Sequence, residues 1–468
     1  MISLSKGLKL ARGEQSAVIF VRWRRRIARS SAPHLWDLEV DKMYKVAQRI
    51  LSNKSMVLYG LVCTFIALIA SRFLDLPPLI GNWEDKAWSI LNFNLIDNYY
   101  PPGGALALIP FLWSGPDFWP ALYFYYGISA MVYFEICKVV PNKRFRIVAL
   151  LALPANTYLT WLCLTSADQV IELLTLLFFG LFAIHKRFKL ALFFGFMLCF
   201  TRPAYWVAFI IIIVLLAREK KSLESRPRNL LRQGAAIWVL FAVLAFNHLV
   251  FGSTNLSTSS SDTLYFSHQK FHYLSLPKFD MDVLLKNGPS TIPEAVVNSS
   301  DRLTFIDDYK VRAALISILD NPQRFIFAQM QKIDSYFFPI QKIPNLPGQY
   351  ELSKDEKSIL IGDERLTWSL TVGYIIFALY RAIWMLLFAG TLVWLGLLIF
   401  SRRNFNRAEK YLLIPYLAGI IPGFLYYVET RFKIGSELLA IPLHLIALHS
   451  LRELARSLRD KSQDPKIH

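Results

Sequence analysis

An arginine followed by proline stands in the middle of an otherwise apolar run, and no other feature limits the fold so sharply. Leu190–Ala217 is about 28 residues long, whereas one helical crossing of a bilayer core takes about 20. The run is too long for one comfortable span and too short for two full ones. Its flanks are both basic, His185-Lys186-Arg187-Phe188-Lys189 before it and Arg218-Glu219-Lys220-Lys221 after it. Basic flanks stay on the cytoplasmic side, so the segment is expected to enter and leave by one face. It then forms two short helices that meet at Thr201-Arg202-Pro203. An arginine at that depth is costly unless it faces a cavity and an anion, which points to a membrane-embedded anion site.

The rest of the chain agrees with a membrane environment. Apolar residues make up 54% of the chain and fall in blocks rather than at amphipathic spacing, the pattern of a polytopic membrane protein. The net charge of +18 does not indicate a nucleic-acid partner. Lys and Arg gather in short loops between apolar blocks, where they set topology. Cys63, Cys137, Cys163 and Cys199 all fall inside expected spans, so neither disulfides nor metal-ligand spacing shape the fold.

Residues 1–55 form a basic cytoplasmic segment, densest at Arg22-Trp23-Arg24-Arg25-Arg26. Residues 56–251 form an N-terminal transmembrane module. In it Met56–Leu74 runs outward, loop 75–118 holds a helix over Trp83–Leu95, and Trp119–Val140 returns to a basic turn at Asn142–Arg146. Ile147–Leu164 leads out, Thr165–Asp168 turns, Gln169–Ile184 returns, the hairpin follows, and Ala235–Phe251 goes out again. Residues 252–368 make a mostly helical extracytoplasmic loop subdomain. Ser369–Phe400, Tyr411–Val428 and Gly435–Leu451 are the C-terminal spans within 369–451, with Glu429–Lys433 as an outer turn and 452–468 as a cytoplasmic tail. The fold class is an all-α polytopic membrane protein with about ten passes, counting the re-entrant-like hairpin as two. Every longer basic cluster then lies inside, except Arg431 and Lys433.

That topology gathers Glu84, Asp85, Tyr99, Tyr100, Asp168, Arg202, Arg431 and Lys433 on one outer face. A carboxylate can take the proton of an attacking hydroxyl, and Arg or Lys can neutralise a phosphate leaving group. Separately each has a plainer reading: Glu84 and Asp85 as loop solvation, Asp168 as the N-cap of a helix starting at Gln169, Arg431 and Lys433 as headgroup anchors.

The order and side of these elements resemble the GT-C superfamily of integral-membrane glycosyltransferases. The nearest branch is the bacterial one of protein O-mannosyltransferase-like enzymes and the aminoarabinose transferase of lipid A. Trp83-Glu84-Asp85-Lys86-Ala87-Trp88 stands where that family has an acidic motif in its first outer loop. Tyr99-Tyr100-Pro101-Pro102-Gly103 matches its Pro-Pro element, and Ser166-Ala167-Asp168 its second acid. Cys199-Phe200-Thr201-Arg202-Pro203 matches a small-residue helix ending in Arg-Pro. Glu429-Thr430-Arg431-Phe432, with Pro442, matches the motif before the last span. Two departures stand out: Glu precedes Asp in the first motif, and Lys433-Ile434-Gly435 replaces a proline or leucine run.

The resemblance implies a transferase in the bacterial inner (plasma) membrane, with its catalytic side extracytoplasmic. The implied donor is a polyprenyl-phosphate-linked monosaccharide, and the acceptor is a hydroxyl on lipid, glycan or protein. Asp85 or Glu84 would be the base, and Asp168 would position the acceptor or support the base. Arg202, Arg431 and Lys433 would hold the donor phosphate, Tyr99 and Tyr100 would line the substrate site, and direct displacement would invert the anomeric carbon. No cofactor is implied; some members use a divalent ion, for which Glu84, Asp85 and Asp168 are available. Two other classes fit less well. An O-antigen-type polymerase or ligase would leave the early acidic motif without a task. A transporter would place its polar groups at the midplane of internal repeats, and no repeat is visible.

Overall fold

The computed structural model describes residues 53–74, 83–92, 102–114, 118–202, 205–221, 368–400, 406–425 and 430–462, with a few positions and two short strands between 319 and 361. The helices are α1 (Lys54–Leu74), α2 (Trp83–Leu91), α3 (Gly103–Leu108, continued by a 3-10 turn, Ile109–Ser114), α4 (Trp119–Cys137), α5 (Lys143–Ala155), α6 (Thr157–Thr165), α7 (Ala167–Ile184), α8 (Phe188–Thr201), α9 (Trp206–Lys221), α10 (Trp368–Phe400), α11 (Arg407–Leu425) and α12 (Thr430–Ser462). A short antiparallel pair, β1 (Tyr350–Leu352) and β2 (Ile359–Ile361), opposes Glu351 to Leu360. The N-terminal segment before residue 53, the Ala235–Phe251 span, Glu429, and nearly all of the 252–368 subdomain lie outside the described residues.

Four of these helices are long and apolar enough to cross a membrane, or five when the bent pair α5–α6 counts as one span. The central one is α7, with 89% of its apolar window buried; α1 and α10 are the outer ones, at 28% and 22%. Outward-facing Leu58, Leu61, Phe65, Leu379, Leu386 and Ile399 give those two helices the apolar surface that a lipid environment requires and water disfavours.

The expected outward span Ile147–Leu164 is not straight: α5 and α6 meet at 47°. Pro154 has no N–H for the carbonyl four residues back, and the Tyr59 hydroxyl donates to that orphaned Leu150 carbonyl at 2.6 Å. Asn156 then ends one helix and caps the next, its side chain accepting from the Leu159 N–H at 3.0 Å. The apolar pattern runs unbroken through this bend because both halves are packed.

The Leu190–Ala217 run is a helical hairpin, as its length required. Arg202, preceding Pro203, is extended at φ −140° and ψ 98°, the conformation that proline imposes on its predecessor. The two arms lie antiparallel: Phe196 meets Trp206 edge to face, and Gly195 gives Phe209 room that a methyl group would take.

Two helix boundaries differ from the sequence reading. Arg431, Phe432 and Lys433, expected in a turn, belong to the first turn of α12. That helix also runs on through the expected cytoplasmic tail to Ser462. Ala, Leu, Glu and Arg there favour helix, and Arg456 pairs with Glu453 one turn earlier at 2.8 Å.

The bundle has two unlike ends. At one, the basic turns after α4 and α7 meet the start of α11: Lys138, Arg187 and Arg407 all bear on His185. Loss of hydration pushes the His185 imidazole below its usual value, Glu135 opposes this, and those three cations reinforce it. At the other end lie the start of α7 and the tip of the α8–α9 hairpin.

Candidate functional site

The site begins with spacing on α7. Asp168 and Glu172 are four residues apart, so a helix places both carboxylates on one face, one turn apart. The tip of the hairpin brings Arg202 against that face. Its Nε donates to Glu172 Oε2 at 2.7 Å, and its Nη2 pairs with Asp168 Oδ2 at 3.0 Å. The anion expected beside Arg202, whose side chain is mostly buried, is thus a pair of carboxylates from the neighbouring helix.

The two acids differ in setting. The Glu172 side chain is only 3% exposed, against 19% for Asp168. Glu172 has its second oxygen occupied as well, since the Tyr205 hydroxyl donates to Oε1 at 3.2 Å. Asp168 also accepts from Ser166 Oγ and from Gln169 Nε2 at 3.3 Å. Asp168 is not an N-cap: the helix starts at Ala167, with Ser166 in the cap position. Its carboxylate goes to Arg202 instead, because a charge-assisted bond to guanidinium is stronger than a neutral backbone N–H cap.

Glycines let the surrounding elements close in. A Cβ on Gly103 would stand 2.9 Å from the Thr201 nitrogen and 3.0 Å from the Phe200 carbonyl carbon; one on Gly104 would stand 3.1 Å from the Trp83 ring and 3.3 Å from Asp168 backbone. The Pro102-Gly103-Gly104 corner is therefore wedged between the hairpin tip, the start of α2 and the start of α7. Trp83 and Ala87 form the buried side of α2. Glu84, half-buried, lies at the edge of that side, and Asp85, exposed, faces away from it.

On the opposite flank, α12 comes down beside Glu172. A Cβ on Gly435 would lie 3.8 Å from Glu172 Oε1, and Ser436 donates to the Tyr205 hydroxyl. Arg431 sits one helical turn before Gly435; the side chains of Arg431 and Lys433, and all of Tyr99 and Tyr100, lie outside the described residues. Among the described residues no three His, Cys, Asp or Glu side chains converge on one point.

Four of the motifs singled out from sequence thus meet at one end: the start of Trp83-Glu84-Asp85, the Pro102-Gly103-Gly104 corner, Asp168 and Arg202. Glu172 was missed, although the signal was there, an acid inside an apolar span four residues after Asp168. Glu437 and Arg381 were missed likewise; they are ion-paired, and the guanidinium lies over the Trp384 ring at 4.8 Å.

The fold and site define a helical bundle with membrane-length apolar helices and a charged cluster at one end. No protein-family model, no curated protein and no solved structure matches the chain.

Proposed function

We propose that the chain is a glycosyltransferase of the GT-C type, moving a monosaccharide from a polyprenyl-phosphate donor to an acceptor hydroxyl at the extracytoplasmic face of a bacterial inner membrane. The observation that carries this reading is the meeting of four short motifs, far apart in sequence, around the Asp168–Arg202 pair. An end-on cluster of acids and cations beside apolar helices suits a donor whose lipid lies along the bundle and whose sugar projects from it.

In the reaction the acceptor O–H gives its proton to Asp85 or Glu84 as its oxygen attacks the anomeric carbon. The bond from that carbon to the phosphate oxygen breaks, and its electron pair leaves with the polyprenyl phosphate. Attack opposite the leaving group inverts the centre. Arg202, Arg431 and Lys433 supply the positive charge that the leaving phosphate needs. Since Arg202 already faces two carboxylates, the greater share of that task falls to Arg431 and Lys433. Asp168, paired with Arg202 and partly open to solvent, orients the acceptor. The tyrosines of Tyr99-Tyr100 line the sugar site, and the 252–368 subdomain selects the acceptor.

The test is transfer from a synthetic polyprenyl-phosphate monosaccharide by purified protein in lipid nanodiscs. Asp85→Asn or Glu84→Gln should lower kcat by at least about 10²-fold, the loss typical of a removed general base. Full activity in both variants would end the assignment of the base.

A further inference from the structure

A carboxylate almost fully buried on the central helix of an apolar bundle needs a reason to be there, because a neutral side chain of the same size would fold more cheaply. Glu172 links both sides of the hairpin tip. Its two oxygens point in two directions, one to Arg202 Nε and the other to the Tyr205 hydroxyl. These groups lie on either side of the Pro203 break, so one carboxylate fixes both sides of the hairpin tip. The same Oε1 lies against Gly435 on α12, and Tyr205 reaches Ser436 on that helix. Gly419 of α11 closes over this contact, its missing Cβ leaving room for the Ser436 hydroxyl.

We infer that Glu172 is a positioning residue for the donor site: it orients the Arg202 guanidinium toward Asp168 and seats α12, at Gly435 and Ser436 just after Arg431 and Lys433, against the hairpin. This rests on the transferase reading above. Glu172 makes no contact with the acceptor or the reacting carbon in this scheme. It acts through Arg202 and through the placement of α12. Its near-complete burial separates its role from that of Asp168, which shares the guanidinium but keeps one side open. An Arg held at Nε by a buried acid has its planar fork set before donor arrives, so less rotamer freedom is lost on binding.

The experiment is steady-state kinetics of Glu172→Gln, Tyr205→Phe, Arg202→Lys and the double variant Glu172→Gln/Arg202→Lys, with a polyprenyl-phosphate monosaccharide as donor. Glu172→Gln should raise the donor KM about tenfold and lower kcat/KM by about 10²-fold, the scale of a small misplacement of a binding group. The acceptor KM should stay at the parental value. A merely structural defect lowers the active fraction, hence kcat alone, and leaves both KM values unchanged. The double variant should lose no more than Arg202→Lys, since residues acting as a unit are not additive. Should Glu172→Gln fail to fold, Tyr205→Phe, which removes one hydroxyl, carries the same prediction with a smaller rise in donor KM. An active parent with parental donor KM in both variants, or with multiplicative losses in the double, overturns this inference alone. A parent inactive with every polyprenyl-phosphate donor overturns the transferase reading, and this inference with it.

Discussion

Replacing Arg202 by methionine should be far more damaging than replacing Arg202 and Glu172 together. With Arg202 gone, Asp168 can still be hydrated, since a fifth of its side chain is open at 19%. Glu172, at 3%, cannot. Removing one partner of a buried ion pair costs about 3–5 kcal/mol, because the other charge is left uncompensated. The Tyr205 hydroxyl donates only one hydrogen bond to it, which offsets about 1 kcal/mol. The Arg202→Met single variant should therefore lose about 3 kcal/mol, a fall in the thermal midpoint on the order of 5 °C. Arg202→Met/Glu172→Leu removes both charges and fills their volume with carbon, a change that is often near neutral. What remains is the Glu172 acceptor lost by Tyr205, which keeps its bond from Ser436, so the double variant should lose about 1 kcal/mol. The assay is thermal unfolding in detergent followed by size-exclusion fluorescence. Equal losses in the two variants, or a larger loss in the double, would refute the reasoning.

Gly419→Ala should loosen α11 from α12, because the new Cβ would sit 2.1 Å from the Ser436 hydroxyl; Gly419→Ala/Ser436→Gly should recover most of the lost thermal stability. At Gly103 the clash is with backbone, 2.9 Å from the Thr201 nitrogen, so Gly103→Ala has no flexible neighbour to push aside. It should lower transfer activity by displacing the hairpin tip, in an assay normalised to folded protein, while an equivalent methyl at Gly390, which has open space around it, leaves activity at the parental level. Asp85 and Lys186 lie at opposite ends of the bundle and are both exposed. In a background without the buried native cysteines, an impermeant thiol reagent should label Asp85→Cys from outside intact cells and Lys186→Cys only after lysis; labelling of both from one side would break the topology.

Much of the bundle was legible because each long element is written twice, once in apolar length and once in basic turns. Lys54–Leu74, Trp368–Phe400 and the hairpin arms fall within a few residues of their expected bounds, and the Arg202-Pro203 break follows from proline chemistry alone. The bend at Asn156 was not legible, since a capping side chain inside a packed helix pair leaves the apolar pattern unbroken. The turn expected at Glu429–Lys433 failed for a related reason: charges signal a membrane boundary but not whether the backbone there is already helical. In the site, the need for an anion beside Arg202 could be read from its depth, whereas the identity of that anion could not. Asp168 and Glu172 reach Arg202 across a tertiary contact between α7 and the hairpin, and nothing local to either segment fixes that pairing. Glu172 went unread because a single acid in an apolar helix was absorbed into the span, although such a residue is costly enough there to require a partner.

The central claim, that this end of the bundle receives a polyprenyl-phosphate sugar, is tested most directly by mass spectrometry of lipids extracted from the purified, gently solubilised protein. The account predicts an isoprenoid monophosphate, with or without one hexose- or pentose-sized sugar, enriched over bulk phospholipid and depleted from an Arg431→Ala/Lys433→Ala variant of parental thermal stability. Bulk phospholipid alone, or an isoprenoid diphosphate carrying a longer glycan, would contradict it.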